Sequence, residues 1–209
     1  MIPRVIPAAM MADPSSLLRQ AIERARAQSS DYDLNPETVL PENRKLRAAG
    51  VLVPVLVRET CAQVILTKRS SALKHHPGQI AFPGGKQDPG DPTIIDAALR
   101  EAHEEIALDP GNVEILGTLP AHETVTGFLV TPLIGLVRAA FTPIPEAGEV
   151  EEVFEVPLSH LLDSGKYSVE SRRWRGSWRR YYAVPYGPYY IWGATARILR
   201  TMADAVQDR

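Results

Sequence analysis

Cysteine is almost absent: Cys61 is the only one among 209 residues. No internal disulfide can form, which suits a reducing compartment. Cys61 sits between the apolar runs 51–57 and 64–66, so a packed or turn-edge thiol is a simpler expectation than a nucleophile. Long apolar runs are missing too, since no stretch approaches the ~20 residues of a membrane span. The N-terminal segment MIPRVIPAAMMADP carries Pro3 and Pro7 and makes a poor secretion signal. The other end, Gln207-Asp208-Arg209, carries no familiar address, so the cytoplasm is the expected location. Net charge is only -2, which gives no general attraction to nucleic acid or anionic membrane. A polyanionic ligand must therefore be met by local cations.

What is present fits an ordinary folded chain. Hydrophobic residues make up 44% and charged residues 23%, enough to bury a real core. Asp13-Pro14-Ser15-Ser16 followed by Leu17, Leu18, Ile22 and Ala25 reads as a helix start. A polar stretch over 29–43 reads as a connector. Residues 1–45 are thus expected to form an N-terminal arm and helix, and 46–209 the main domain. Strand-like runs 51–57 and 64–66 suggest a hairpin, and 70–90, rich in glycine and proline, should be mostly loop. Asp91-Pro92 is read as a cap and first turn for a helix running to about Ala107. Further strands are expected at 113–119, 128–137 and 152–156, a hairpin at 167–184, and a closing helix at 194–206. Strands with helices spliced between them predict an α/β fold, a mixed β-sheet sandwiched by helices.

The informative stretch is Leu99-Arg100-Glu101-Ala102-His103-Glu104-Glu105-Ile106. At ~100° per residue, Glu101, Glu104 and Glu105 fall within an arc of about 100°. Ile95, Ala98, Leu99, Ala102 and Ile106 form a separate apolar stripe. Three carboxylates near the negative end of a helix repel one another, and only Arg100 and His103 are at hand to relieve them. A hard cation such as Mg²⁺ or Mn²⁺ would reverse that cost. On the helix alone a solvated acidic face is an equal alternative. Phe82-Pro83-Gly84-Gly85 just upstream favours the metal, because its backbone can come close to a ligand.

With these residues in view, Gly85 through Leu108 resembles the Nudix box, written G-x5-E-x7-R-E-U-x-E-E-x-G-U with U aliphatic. Gly85, Arg100, Glu101, Glu104, Glu105 and Leu108 match it. Asp91 stands where the first glutamate is expected, Ala107 replaces the late glycine, and the span from Asp91 to Arg100 is one residue longer than in the box. The resemblance implies the Nudix-type α/β/α sandwich. It also implies Glu101 and Glu105 as ligands of Mg²⁺ or Mn²⁺, Glu104 as a further ligand or water-orienting base, and Arg100 in the catalytic set.

A second pattern runs Ile65-Leu66-Thr67-Lys68-Arg69-Ser70, then Lys74, Gly78 and Phe82 to Gly85. It resembles the signature of the coenzyme A pyrophosphatase branch of Nudix enzymes, departing at Ile65 for leucine and Lys74 for arginine. Segments 126–132, 152–158 and 191–196 resemble that branch as well. The implied reaction is hydrolysis of coenzyme A or its derivatives, with Arg69, Lys74, Gly84 and Gly85 at the substrate. The general base is left open among Glu149, Glu151 and Glu152. Hydrolysis of ADP-ribose or a dinucleotide is the alternative activity, and a Nudix-like ligand sensor without hydrolysis is a different class. The expected partner is a small molecule, with no nucleic acid or membrane, and a homodimer is compatible with the sequence.

Two other features compete for attention. Arg172-Arg173-Trp174-Arg175 and Trp178-Arg179-Arg180-Tyr181-Tyr182 mix cations and aromatics as single-strand nucleic acid surfaces do. Strand alternation would split these side chains between two faces, which favours a half-buried hairpin. His75-His76 lacks the further ligands a zinc site needs and is read as a loop pair near the substrate.

Overall fold

A computed structural model describes residues 13–59, 61–174 and 176–207, with the backbone alone for Trp174. The N-terminal segment 1–12, read above as a poor secretion signal, and Arg175 of the basic run lie outside the described residues. The chain opens with α1 (Ser15–Arg24) and then β1 (Ser29–Ser30), β2 (Arg47–Val57), β3 (Ala62–Arg69), β4 (Ile80–Ala81) and β5 (Gly84–Lys86). Next come α2 (Ile94–Ile106), β6 (Val113–Thr118), β7 (His122–Glu123), β8 (Phe128–Val137), β9 (Val150–Pro157) and α3 (Leu158–Leu161). The hairpin strands β10 (Ser168–Trp174) and β11 (Ser177–Ala183) lead to α4 (Ala194–Gln207).

Strands β1 to β9 share one mixed sheet, and β10–β11 form a separate ribbon. The sheet's centre is the parallel pair β2–β8, in register from Arg47–Phe128 to Leu56–Val137. Strands β3 and β9 extend one side of it antiparallel, and β6 and β7 pair antiparallel with β8. Central strands covered on both faces read as near-continuous apolar runs, and the two faces separate cleanly by alternation. Leu52, Leu56, Ile65, Leu133 and Val137 pack with Ala98, Ala102 and Ile106 of α2. Val53, Val55, Val64, Leu66, Ile134 and Leu136 belong to the opposite core with Leu17 and Leu18 of α1 and Ile198, Leu199 and Met202 of α4. Helix, sheet and helix make the three layers, so the expected α/β/α sandwich is the observed fold.

Pro54 lies in this central strand, where a missing N–H usually costs a ladder bond. Here it falls between residues 49–51, which pair with β5, and residues 55–57, which pair with β3. The N–H of Leu52, on the same edge, reaches the Pro83 carbonyl at 2.9 Å.

One expectation needs correcting. Asp91 does not cap α2: Thr93 is the N-cap, accepting from the Asp96 N–H at 3.2 Å while Asp96 accepts from the Thr93 N–H at 2.9 Å. Pro92 accordingly precedes the helix instead of occupying its first turn. The 70–90 stretch is mostly loop as expected, with β4 and β5 adding short edges to β3 and β2. The 29–43 connector contains β1, paired in parallel with β7. Among the described residues no helix is long and apolar enough to cross a membrane.

Ala107 replaces the expected glycine but keeps its geometry, with φ 57° and ψ 30°. Its N–H bonds to the His103 carbonyl at 2.9 Å and Leu108 N–H to the Ala102 carbonyl at 3.4 Å, seating the buried Leu108. A left-handed conformation costs a non-glycine residue about 1 kcal/mol. Ala107→Gly should therefore raise stability by about that amount, or ~2–4 °C in Tm, read by thermal melting. An unchanged or lower Tm would show that the glycine's unfolded-state entropy outweighs the relieved strain.

Candidate active site

Helix α2 presents its three glutamates across the boundary between buried and exposed. Glu105 is 5% exposed, while the side chains of Glu101 and Glu104 are 18% and 55% exposed. The gradient follows their angular order on the helix. Glu105 turns toward β5, where its Oε2 accepts the Gly84 N–H at 3.2 Å. Burial is the main cause that pushes its carboxyl up to about 8, with Glu101 and Glu149 adding to the rise and Arg69 opposing it. Burial also raises Glu101, against the pull of Arg100 and with the push of Glu104 and Glu149.

Arg100 holds this face together. It takes Asp91 with Nε to Oδ1 at 2.9 Å and Nη2 to Oδ2 at 3.0 Å, Glu101 at 3.0 Å and Glu104 at 2.9 Å. Asp91 also accepts the Asp88 N–H at 2.8 Å, fixing the turn before α2. Asp91 is one methylene shorter than the glutamate of the box and sits one residue farther from the arginine, yet the pair is intact.

Gly84 is required by conformation and by space, and Gly85 by space alone. Gly84 has φ +150°, and a Cβ there would lie 2.4 Å from the Gly50 carbonyl oxygen. At Gly85 a Cβ would lie 2.5 Å from the Glu101 carboxyl. The bare backbone thus forms a cradle against that carboxylate. Gly85→Ala should leave the fold intact, because the flexible Glu101 side chain can move aside. The displaced carboxylate should lower metal-dependent turnover by about ten- to a hundredfold, measured with a melting curve as control. Normal turnover in a normally folded variant would refute the cradle.

Two crowded carboxylates that burial pushes up, offering hard oxygen donors, suit a divalent cation of the Mg²⁺ or Mn²⁺ type. Among the described residues, no three acidic, histidine or cysteine side chains are already converged as a metal cluster. Glu104 is largely exposed, leaving Glu101 and Glu105 as the inward pair. The β8–β9 loop docks on this end of the helix, with Ile144 N–H on the Ile106 carbonyl at 3.2 Å and Glu146 N–H on the Glu105 carbonyl at 2.9 Å. That docking brings the Glu149 charge to bear on both inward glutamates. Glu151 instead binds Lys68 at 2.7 Å and the Ser71 N–H at 3.1 Å, and Glu152 accepts the Tyr189 hydroxyl.

A cavity of about 300 Å³ opens beside Gly84. Arg69, His76, Gln79 and Phe82 come to its wall from the upstream segment, as do Asp31, Thr124, Arg172, Tyr181 and Trp192 from elsewhere in the chain. Lys74 is exposed on the 70–79 loop and is not part of that wall, and Lys68 is held by Glu151. Of the substrate residues expected, Arg69 and Gly84 line the cavity, and Gly85 abuts Glu101. His76 alone of the histidine pair reaches the wall. Cys61 is half-buried, with the Gln63 amide at 3.3 Å. Asp31 and Thr124 carry no local pattern that marks them in the sequence, whereas Trp192 falls in the 191–196 segment that resembles the branch. Asp31 is set by the buried His122, whose Nδ1 meets Ser29 Oγ at 2.9 Å and whose Nε2 lies 3.3 Å from Asp31.

Comparison with known proteins bears on this arrangement. The family model described as NUDIX domain matches residues 46–175. A protein from Enterobacter sp. (strain 638), described as an uncharacterized Nudix hydrolase, NudL, is 46% identical over 157 residues, covering 75% of this chain and 81% of that one. A protein of the same description from Citrobacter koseri is 42% identical over 174 residues, covering 83% and 90%. The crystal structure of a MutT/nudix family protein from Enterococcus faecalis superposes with a TM-score of 0.52 at 17% identity, covering 83% of this chain and 67% of that one. That last likeness bears on the fold alone.

Proposed function

The chain belongs to the Nudix hydrolase family, and from that membership we propose that it hydrolyses the diphosphate linkage of coenzyme A or its derivatives. Water adds to one phosphorus and the bridging oxygen leaves with the other. The products are 4′-phosphopantetheine (or its acyl form) and adenosine 3′,5′-bisphosphate. What supports coenzyme A is the placement of the segment resembling that branch. Its residues Arg69, His76, 79–82 and Gly84 line the cavity, and Gly84 touches Glu105. The diphosphate can therefore reach Arg69 and the glutamates together.

In this reading Glu101 and Glu105 hold Mg²⁺ or Mn²⁺, Gly85 leaves room for Glu101, and Arg100 fixes the carboxylate face through Asp91. When bound, the ion neutralises phosphoryl charge and makes water a nucleophile near neutral pH. Glu149 takes the water's proton, because its charge bears on both inward glutamates while Glu151 and Glu152 have other partners. Glu104, held by Arg100, tunes the field at Glu101. Arg69 pairs with phosphate oxygens through its planar fork. The cavity volume of about 300 Å³ is at the small end for nucleotide-sized ligands, so part of the substrate lies along the open rim.

The test is product analysis of the purified protein with coenzyme A, ADP-ribose and a dinucleotide, each with and without Mg²⁺. Adenosine 3′,5′-bisphosphate released only with metal is the expected result. Cleavage of ADP-ribose or the dinucleotide but not coenzyme A would move the assignment to the alternative activity. No cleavage of any would point to a ligand sensor.

A further inference from the structure

Arg172 and Arg179 stand directly opposite one another on the β10–β11 ladder. Cross-strand partners project from the same face with Cβ atoms ~5 Å apart, and like charges so placed repel. The next pair, Arg173 and Trp178, projects from the other face by the two-residue alternation. Arg172 and Arg179 both line the cavity, as does Tyr181 on the same face. The repulsion is thus concentrated on the space a ligand would fill.

Both guanidinium groups are also braced. Arg172 lies over the Trp192 ring at 4.5 Å from its centroid, and Tyr181 meets that ring edge-on at 5.0 Å. Arg179 lies 5.2 Å from the Tyr32 centroid and reaches the Asp31 carbonyl at 3.5 Å. Stacking fixes a guanidinium by its flat face. Of the acidic neighbours, Asp31 is turned to the Val125 N–H at 2.8 Å and to His122, and Glu170 lies one rung along the same face, opposite Tyr181. The first turn of α4 opens on the same space, its residues 194 and 195 lining the cavity ahead of the Arg197 N–H to Gly193 carbonyl bond. That is the positive end of a helix.

We propose that Arg172 and Arg179 form a second anion subsite that takes a phosphate monoester carried on the nucleotide, apart from the diphosphate cleaved beside Glu101 and Glu105. This rests on the coenzyme A reading, in which the adenosine carries a 3′-phosphate. The subsite makes the enzyme selective for nucleotides bearing that group.

Two assays on the Mg²⁺-loaded protein test it. In the first, kcat/KM is measured for coenzyme A and 3′-dephospho-coenzyme A with the wild type and the Arg172→Ala/Arg179→Ala variant. The wild type should favour coenzyme A by about tenfold or more, and the variant should bring the ratio toward one by losing mainly on coenzyme A. Equal use of both by the wild type, or equal losses in the variant, would overturn the subsite. In the second, calorimetry compares adenosine 3′,5′-bisphosphate with 5′-AMP. Tighter binding of the bisphosphate, abolished in the variant, supports the subsite even where coenzyme A is not hydrolysed and the functional reading fails. Equal affinities overturn it whatever the substrate is.

Discussion

Glu101→Gln and Glu105→Gln should each lower kcat in Mg²⁺ by at least ~10²-fold, the scale of losing one preorganised electrostatic group. The amide keeps the size of the side chain and its hydrogen bonding, so the loss would belong to the charge. Both variants should fold, and Glu105→Gln should make the metal-free protein more stable at alkaline pH. Burial holds the Glu105 carboxyl at about 8, against 4.5 for an ordinary glutamate. The unfolded chain therefore gives up this proton first as pH rises. The metal-free protein should lose stability from about pH 4.5 up to about 8 through this group, and Glu105→Gln should flatten that decline. Melting curves in chelator at pH 5 and pH 8.5, beside turnover in Mg²⁺, read both effects. Near-normal turnover in either variant would remove that glutamate from the metal site.

The parts of the fold that were legible in the sequence are those whose pattern is local. The apolar runs of β2 and β8, the stripe on α2 and the 167–184 hairpin each announce themselves within fewer than twenty residues. Asp91 misled because an aspartate before a proline is a good cap by local rules. Its carboxylate is instead committed to Arg100, a full helix turn and more away, and Thr93 takes the cap. Strands β1, β4 and β5 were invisible for the same reason. Each is two or three residues long and exists only because a distant strand supplies its hydrogen bonds. At the site, the glutamate arc follows from helix geometry alone, but which of the three turns inward depends on where β5 lies. Glu149 stood out from Glu151 and Glu152 only once the loop was seen docked on the end of α2. The far wall of the cavity joins Asp31, Thr124 and Trp192, and no spacing rule connects residues so remote.

The substrate is where residue-level chemistry decides most: kcat/KM for coenzyme A should exceed that for ADP-ribose, and Arg69→Ala should remove much of it. Arg69 closes β3 at a register shift between Lys68 and Arg69 against β9, the kind of irregularity that re-aims a side chain. Its backbone is clamped on both sides, with its N–H on the Gln79 carbonyl and the Gly78 N–H on its own carbonyl, each at 3.0 Å. The side chain lines the cavity, and its charge opposes the rise in Glu105's pKa. In the proposed reading this cation meets the diphosphate, where a charge-assisted contact is worth ~1.5–3 kcal/mol. The expected loss in kcat/KM for coenzyme A is therefore roughly ten- to a hundredfold. Arg69→Lys should recover only part of it, since an ammonium keeps the charge without the planar fork. Lys74→Arg, at an exposed position outside the cavity wall, should change little. Steady-state kinetics on both substrates with these variants separates the possibilities. Faster turnover of ADP-ribose by the unaltered protein would keep the family and exchange the substrate. An Arg69→Ala variant indistinguishable from the wild type would mean that the diphosphate is bound elsewhere along the cavity.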